Sequence, residues 1–340
     1  MIDILSLYPH EIEELVVSLG EQSFRSKQLF SWLYKGADEF AEMKNLPKKL
    51  IAQLDKAAEI KHLRTEKRLV SAVDGTVKYL FSLDDGERIE SVFMRYKHGN
   101  TICISTQAGC RMGCSFCAST KNGLKRNLLS SEMLLQIMAT QRDLDEKISN
   151  IVLMGIGEPL DNYDNVIRFL RLVNQKDGMN IGMRHISLST CGLVDRIDRL
   201  AQEGLPLTLS VSLHAADDAV RRELMPIASR WSVAQLLAAC ERFIKKTNRR
   251  ISFEYALISG VNDSVRDAEK LGRMLSGMLC HLNLIPVNPI IEKNLKKSEK
   301  KAIELFTRTI EKYRISVTVR RRLGSDINAS CGQLRAGHSS

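Results

Sequence analysis

Three cysteines lie close together in the stretch GCRMGCSFCAST, at positions 110, 114 and 117, with the spacing C-x3-C-x2-C. Thiolates bind zinc or the iron of iron–sulfur clusters. A structural zinc site usually has four protein ligands, often as two C-x2-C pairs, and no fourth partner is evident near Cys110, Cys114 and Cys117. The spacing therefore favours a [4Fe–4S] cluster with one iron open to another molecule over a zinc site with a distant fourth ligand.

The remaining cysteines do not form a recognisable disulfide framework. Eight cysteines occur in a chain of 340 residues, whereas disulfide frameworks are typical of short secreted chains. Cys240 and Cys280 are predicted to be small buried residues. The N-terminal stretch MIDILSLYPHEIEEL does not resemble a secretory signal, and no apolar run reaches the roughly 20 residues that span a bilayer. We therefore expect a cytoplasmic protein without a membrane partner.

The chain is basic, with 50 Lys and Arg against 40 Asp and Glu, a net charge of +10. The positive charge is concentrated in short clusters such as KHLRTEKR, KKTNRR, KNLKKSEKK and VRRRL. These clusters are either solvated helix faces and loops or a surface for a polyanion. The excess of positive charge favours the second interpretation and predicts a nucleic-acid partner.

The elements that must position these cysteines change in type along the chain. Residues 1–60 have three short helical patterns, and residues 61–97 read as strands with a hairpin turn at Asp74-Gly75. Beyond them, short apolar strands alternate with amphipathic helices, which predicts an α/β fold with a parallel sheet. The count of six or seven strand–helix units fits a partial barrel or an open doubly wound sheet. In both architectures function gathers at the carboxyl ends of the strands, where the cysteine stretch, GIGEP, SLHA and PVNP lie.

Several motifs together indicate a family. The cysteine spacing, with Phe116 before the last cysteine, resembles the signature of the radical S-adenosylmethionine (SAM) superfamily. The further segments, in chain order, are CISTQAGCRMGCSFCAST, GLKRNL, MGIGEPLDN, RHISLSTCG, SLHA, RRISFEYALISGVND, NLIPVNP and GSDINASCGQLRAG. This set resembles the family of dual-specificity methyltransferases that modify carbon 2 of adenine in 23S rRNA (adenine 2503) and tRNA (adenine 37). The resemblance extends from the N-terminal helices to Leu334.

The resemblance implies a mechanism with two SAM molecules per turnover. Cys110, Cys114 and Cys117 would hold the [4Fe–4S] cluster, and reduction would cleave one SAM to methionine and a 5′-deoxyadenosyl radical. Cys331 would take a methyl group from the other SAM and, after hydrogen abstraction, add it to carbon 2. Cys103 would resolve the protein–RNA adduct through a transient disulfide, and Glu90 would remove the proton from carbon 2. Taken without the family, Cys103 reads as a core residue and Glu90 as an exposed strand carboxylate.

The same resemblance assigns the contacts to SAM. Glycine suits the GIGEP turn because the backbone must approach the cofactor closely. The residues that align with the family's SAM contacts are Gly157, Glu158, Ser189, Ser212, Leu213, His214 and Asn288. Cys191 departs from the small residue expected at its position, and it is assigned no role.

The family also implies an architecture and partners. The expected fold is a partial (β/α)6 TIM-type barrel, the radical SAM core, with a small N-terminal helical domain and a β-hairpin extension. The expected division is an RNA-binding helical domain at 1–60, the extension at 61–97, the core at 98–322 and a tail carrying Cys331 at 323–340. The partners would be 23S rRNA, tRNA and an electron donor such as flavodoxin or ferredoxin, and the protein would be a monomer.

Three other functions remain open at this level. A related resistance methyltransferase of the Cfr type modifies carbon 8 of the same rRNA adenine, and it would need the same cysteines. A zinc-stabilised RNA-binding protein would contain zinc and would not cleave SAM. A radical SAM enzyme acting on a small molecule would not depend on Cys331.

Overall fold

Strands and helices alternate along most of the chain in the computed structural model, which describes residues 1–287 and 295–334. The strands β1 to β14 are Ile2–Asp3, Ala58–Glu59, Leu63–Val70, Val77–Leu83, Arg88–Tyr96, Gly99–Cys103, Gln107–Gly109, Leu124–Asn127, Asn150–Leu153, Ile186–Thr190, Thr208–Ser212, Ile251–Leu257, Cys280–Pro286 and Ser316–Val319. The helices α1 to α10 are Pro9–Ser18, Phe24–Tyr34, Lys48–Ala57, Ser130–Leu144, Tyr163–Val173, Val194–Gln202, Asp218–Leu224, Val233–Thr247, Val265–Leu275 and Lys300–Glu311. No helix within these ranges has both the length and the apolar character needed to cross a bilayer.

One ten-stranded sheet dominates the fold, in the order β14-β13-β12-β11-β10-β9-β6-β5-β4-β3. Strand β6 and strands β9 to β14 are parallel, and each lies beside its predecessor in this series. Helices α4, α5, α6, α8, α9 and α10 lie in the successive connections, which gives six strand–helix units followed by β14. A doubly wound sheet reverses its strand order at a switch point, and this series does not. The predicted partial barrel is confirmed, and the doubly wound alternative is wrong.

The N-terminal helices form a small layer against the barrel helices. Pro9 begins α1, where its missing N–H is not needed, and Ile12 and Val16 bury one side of that helix at the spacing of one turn. Arg168 of α5 donates to Glu11 over 2.6 Å, which joins α1 to the barrel. The three predicted helices are therefore present, and their apolar sides pack into the same core as the sheet.

The β3–β4 hairpin and β5 continue the barrel sheet in antiparallel fashion. The predicted turn lies between the paired residues Val70 and Val77. In the next pair of strands, β5 and β6, Val92 lies opposite Cys103. One face of β5 packs on α4, where Ser91 donates to Gln136 over 2.7 Å. The opposite face packs against the segment that follows β14.

The tail is the described segment 323–334, and it lies across that second face of β5. Ala329 and Leu334 of the tail join an apolar cluster with Val92 and Cys103. This packing places Cys331 beside β6, the first strand of the barrel, although more than two hundred residues separate the two in the sequence.

Candidate active site

The loop with the three cysteines is held at both of its ends and in its middle. Strands β7 and β8 pair as a short antiparallel ribbon on either side of it, and the Cys110 N–H donates to the Gly123 carbonyl over 3.0 Å. Within the loop, the Ser115 N–H donates over 2.8 Å to the carbonyl of Leu224, at the end of α7. The sulfur positions are therefore set by the sheet on one side and by a helix on the other.

A cavity at the carboxyl ends of the parallel strands collects most of the predicted site residues. Its lining includes Cys110, Cys114, Cys117, Gly157, Glu158, Ser189, Ser212, His214 and Cys331. Leu213, Cys103 and Glu90 lie outside this lining, and Asn288 lies outside the described residues. The cavity is at the end of the barrel where enzymes of this architecture carry their sites.

Two of the loop cysteines are buried as thiols. Burial raises the pKa of Cys110 to about 12 and also raises the pKa of Cys114. The negative charge of Cys117 contributes to both increases in pKa. A bound metal centre reverses this preference, because coordination removes the thiol proton.

The GIGEP turn brings backbone into the cavity. Gly157 has a φ of +106°, and a Cβ there would lie 2.6 Å from the Gln107 Cβ, so a side chain does not fit. The Glu158 carboxylate accepts hydrogen bonds from the backbone N–H groups of Leu160 at 3.0 Å and Cys191 at 2.7 Å. Burial raises the pKa of Glu158. This side chain therefore ties the end of β9 to the end of β10, and the turn's backbone is left to face a ligand.

His214 presents a fixed donor to the cavity. Its Nδ1 accepts a hydrogen bond from the Ala256 N–H over 2.8 Å, so the proton of the neutral ring is on Nε2. Burial lowers the pKa of His214 to about 3, so the ring stays neutral at ordinary pH. Phe116 of the cysteine loop packs edge-on against it, with ring centroids 4.6 Å apart. The loop and the end of β11 are thus in direct contact.

A buried arginine joins the ends of β10 and β11 beneath the cavity. Arg221 is fully buried and donates to three backbone carbonyls, those of Cys191 at 2.9 Å, Leu213 at 3.1 Å and Ser212 at 3.2 Å. The predicted ligand Leu213 therefore contributes its carbonyl to this clamp. Within the described residues, the Nη1 atom of Arg221 has no hydrogen-bond partner. Burial lowers the pKa of Arg221, and the negative charges of Cys191 and Cys114 oppose that decrease.

Cys331 lies at the junction of two cavities. It is partly exposed, and it lines both the cysteine cavity and a second groove that also contains Tyr96. Arg320, which is itself partly buried, lines the same two spaces. The negative charge of Cys331 raises the pKa of Arg320. Burial raises the pKa of Cys103 to about 12, and the charge of Cys331 adds to this increase. Cys103 and Cys331 are not joined by a disulfide in this structure.

Glu90 is a buried residue, contrary to what its strand position alone would indicate. Only 5% of it is exposed, and its carboxylate forms an ion pair with the Lys78 ammonium over 2.8 Å. Side chains alternate along a strand, so Glu90 shares the face of β5 that carries Val92, opposite Cys103. Its carboxylate is therefore on the side of the sheet that the tail covers.

Two family models match the chain. Residues 104–271 match the model of the radical SAM superfamily. Residues 2–60 match the model described as the ribosomal RNA large subunit methyltransferase N-terminal domain.

Curated relatives match over almost the whole chain. A protein of Alkaliphilus metalliredigens named "Probable dual-specificity RNA methyltransferase RlmN" is 53% identical over 98% of this chain and 95% of its own length. A protein of the same name from Clostridium perfringens is 54% identical over 99% of this chain and 98% of its own length. The chain belongs to the RlmN family of radical SAM RNA methyltransferases.

A solved structure agrees with membership of the RlmN family. A radical SAM methyltransferase from Sphaerobacter thermophilus superposes with a TM-score of 0.94 at 42% identity, over 99% of this chain and all of that one. The resemblance inferred from the motifs is confirmed. Membership of the superfamily implies SAM and a [4Fe–4S] cluster as cofactors.

Sequence reasoning missed the cations of this RlmN-family site. Arg221 lies in an amphipathic helix and Lys78 in a strand, positions where a charged residue is usually solvated. Arg320 belongs to the cluster VRRRL, whose three arginines are indistinguishable in sequence. Their partners come together only after folding: backbone carbonyls for Arg221, Glu90 and the Asn328 carbonyl for Lys78, and Cys331 for Arg320.

Proposed function

We propose that the protein transfers a methyl group to carbon 2 of adenine in 23S rRNA and tRNA, with Cys331 as the methyl carrier. The observation that supports this best is that Cys331 and the three loop cysteines line one cavity, with Cys103 close to Cys331. A radical initiator and a methyl carrier must meet within one space for this chemistry. The radical SAM signature alone does not distinguish this reaction from the other reactions of the superfamily.

The donor set fits an iron–sulfur cluster better than a single metal ion. A donor set of three cysteine sulfurs favours iron–sulfur chemistry or zinc. In the part of the chain that the structure describes, no three His, Cys, Asp or Glu side chains converge to hold one ion. A four-iron cube needs a different arrangement, because each thiolate binds its own iron. Cys110, Cys114 and Cys117, spaced around one cavity, would hold it.

Cavity residues at the ends of β9, β10 and β11 would bind SAM. The backbone at Gly157, the hydroxyls of Ser189 and Ser212 and the Nε2–H of His214 are the available polar groups. Asn288 is retained in this set from the family resemblance. When bound, the cluster and SAM would supply a 5′-deoxyadenosyl radical. That radical would take a hydrogen atom from the methyl group on Cys331, and the carbon radical left on Cys331 can add to a ring carbon that polar methyl transfer does not reach.

Cys331 would accept a methyl group from a first SAM before the second is consumed, so each turnover uses two. The acceptor is a thiolate, because the thiolate is the nucleophilic form of cysteine. The partly buried guanidinium of Arg320 faces the same two spaces as Cys331. The negative charge of a Cys331 thiolate raises the pKa of Arg320, so the guanidinium beside it stays charged.

Cys103 would release the methylated RNA by attacking the Cys331 sulfur. Its high pKa, due to burial and to the charge of Cys331, keeps it protonated while Cys331 is a thiolate. Once the Cys331 sulfur is bonded to carbon it is neutral, and that repulsion is lost. Cys103 is then easier to deprotonate, with Arg320 still favouring its charged form. The S–S bond forms as the S–C bond breaks, and the bonding pair stays on the carbon attached to the base, which takes up a proton to become the methyl group. Two electrons from the electron donor and two protons then return both thiols.

Glu90 would accept the proton from carbon 2. Its ion pair with Lys78 keeps it in a closed, apolar setting beside the tail. The carboxylate is outside both cavities that Cys331 lines, so the tail must shift as the RNA adduct forms. Movement of the tail would therefore accompany proton removal.

RNA would enter by the second groove. Its exposed cations are Lys297, Lys300, Arg321 and Arg322, and Cys331 lines the same groove. Such cations bind phosphates, while the target base is turned out of its stack into the site. Residues 1–60 would add RNA surface, 61–97 the extension, 98–322 the catalytic core and 323–340 the methyl carrier. We assign the protein to the cytoplasm as a monomer that uses flavodoxin or ferredoxin as reductant.

The test is to purify the protein anaerobically, supply SAM, reductant and unmodified RNA, and map the methylated carbon by mass spectrometry. We expect iron and sulfide in the protein and methyl at carbon 2. Methyl at carbon 8 would indicate the Cfr-type reaction, and a colourless zinc protein would refute the enzyme. Cys331→Ala should lose both RNA methylation and the protein-borne methyl while still binding SAM. Cys103→Ala should accumulate the RNA adduct.

A further inference from the structure

The β3–β4 hairpin lies between the two segments that the family models match, 2–60 and 104–271. We propose that this hairpin is a clasp for the tail, with Lys78, Asp74 and Asp326 as residues that position Cys331. The inference rests on the proposed role of Cys331 as methyl carrier.

The turn of the hairpin binds the tail through two carboxylates, one from each side. Asp326 of the tail accepts from the Ser71 hydroxyl at 2.7 Å and from the Ala72 N–H at 2.9 Å. In the opposite direction, Asp74 of the turn accepts from the Gly324 N–H at 2.9 Å. The three bonds are reciprocal, so they fix the orientation of the tail and not only its proximity.

Lys78 extends the clasp into the protein interior. Its ammonium donates to the Asn328 carbonyl of the tail at 3.2 Å and pairs with Glu90 at 2.8 Å. Only 8% of Lys78 is exposed. A buried ammonium needs both of these partners. If the tail were displaced, Lys78 would lose the Asn328 carbonyl and keep its ion pair with Glu90. The position of the tail and the surroundings of the proposed base are therefore linked through one nitrogen.

The tail has a defined shape that matches the clasp. Gly324 has a φ of +59°, and a Cβ there would lie 2.6 Å from the Ala329 Cβ and 3.0 Å from the Thr76 Cγ2. The backbone can approach both neighbours only without a side chain. Within the tail, the Ser330 hydroxyl donates to the Leu323 carbonyl at 2.8 Å.

A second anchor holds the other side of Cys331. The Ala118 N–H of the cysteine loop donates to the Gly332 carbonyl at 2.8 Å, and the Ser119 hydroxyl donates to the Leu334 carbonyl at 2.7 Å. Cys331 is thus suspended between the hairpin and the cysteine loop. Loss of the clasp should leave the cluster site intact and displace the sulfur relative to it.

The test compares Lys78→Met and Asp326→Ala with the matched controls Lys67→Met and Asp84→Ala. The controls remove an exposed lysine of β3 and an exposed aspartate in the turn after β4, which accepts from the His62 N–H; neither position has a hydrogen bond or ion pair to the described tail. Hydrogen exchange should accelerate across 323–334 by about tenfold in Lys78→Met and severalfold in Asp326→Ala, because local opening sets these rates. Lys78→Arg should restore most of the protection.

The second readout separates positioning from simple loss of structure. At equal iron content, both clasp variants should release several times more 5′-deoxyadenosine per methylated RNA, since radical formation persists while Cys331 is misplaced. Asp326 is exposed, so its variant tests the idea even if Lys78→Met does not fold. The clasp would be overturned if the clasp variants and the controls had equal exchange rates and released equal amounts of 5′-deoxyadenosine per methylated RNA. If the wild type never carries methyl on Cys331, the proposed function fails, and the clasp is then judged by exchange alone.

Discussion

Replacing Arg221 by methionine should destabilise the protein and disorder the side of the cavity where we propose that SAM binds. The guanidinium donates to the carbonyls of Cys191, Ser212 and Leu213 at 2.9 to 3.2 Å, in a fully buried place. Methionine fills much of the same volume but cannot donate. The three carbonyls would be left in a dry interior, at the ends of the two strands that carry Ser189 and Ser212.

The magnitude follows from these three bonds and one opposing effect. A buried polar group that loses its partner costs about 1–3 kcal/mol. The Leu213 carbonyl also accepts from the Ala215 N–H at 2.8 Å, so the cost falls mainly on the carbonyls of Cys191 and Ser212, roughly 2–6 kcal/mol. Removing a buried cation recovers part of this, since burial lowers the pKa of Arg221 and so disfavours its charge. The net loss should therefore be about 2–4 kcal/mol, because only neutral carbonyls are left without the guanidinium. With an m-value of about 3 kcal/mol per molar urea, the unfolding midpoint should drop by roughly 1 M.

The assay is urea unfolding of the metal-free, reduced protein, followed by far-ultraviolet circular dichroism. The matched control is Arg242→Met, which removes an exposed guanidinium that binds Asp198 at 2.7 and 2.9 Å. Exposed pairs add little to stability, so its midpoint should equal that of the wild type. Arg221→Lys should be intermediate, because a lysine cannot reach all three carbonyls. Equal midpoints for Arg221→Met and Arg242→Met would refute the clamp.

Three further predictions concern the cavity. Gly157→Ala should weaken SAM binding at least tenfold by calorimetry, because the new Cβ would lie 2.6 Å from Gln107 at a φ of +106°; an unchanged Kd would exclude close backbone approach there. Cys114→Ala should abolish bound iron, measured by elemental analysis. The control Cys240→Ala changes a buried cysteine elsewhere and should retain the iron. Iron retained in Cys114→Ala would contradict the ligand assignment. For His214, whose pKa falls to about 3 on burial, the neutral ring stabilises the fold fully above about pH 6.5, and this contribution is lost as the pH falls toward 3. Wild type should therefore lose up to about 1.4 kcal/mol of unfolding free energy per pH unit in that window relative to His214→Gln, and parallel pH profiles would contradict it.

The regular elements of the fold were predictable because their signals are local. Helix α4 occupies the predicted stretch SSEMLLQIMATQRDL, and β5 the stretch RIESVFMRY. Their periodicities need only neighbouring residues. The ribbon of β7 and β8 was not predicted, because strands of three and four residues around a loop give no periodic pattern.

In the candidate site too, features with a local sequence signal were predictable and contacts between distant residues were not. The spacing of Cys110, Cys114 and Cys117 predicts that their thiols act together. No spacing in the sequence predicts the pairing of Lys78 with Glu90 and Asn328. The last contact joins residues 250 positions apart. Strand alternation can place Glu90 on one face of β5. Whether that face is exposed to solvent or buried depends on the position of the tail.

The anchoring of the tail on the cysteine loop also orders the assembly of the molecule. The bond from Ser119 to Leu334 spans 215 positions, so closing it is among the late steps of chain organisation. During synthesis the sheet and the loop can fold before residues 323–334 leave the ribosome. We expect iron–sulfur delivery proteins to reach the open loop in that interval, and a mature chain to accept a cluster more slowly than a nascent one.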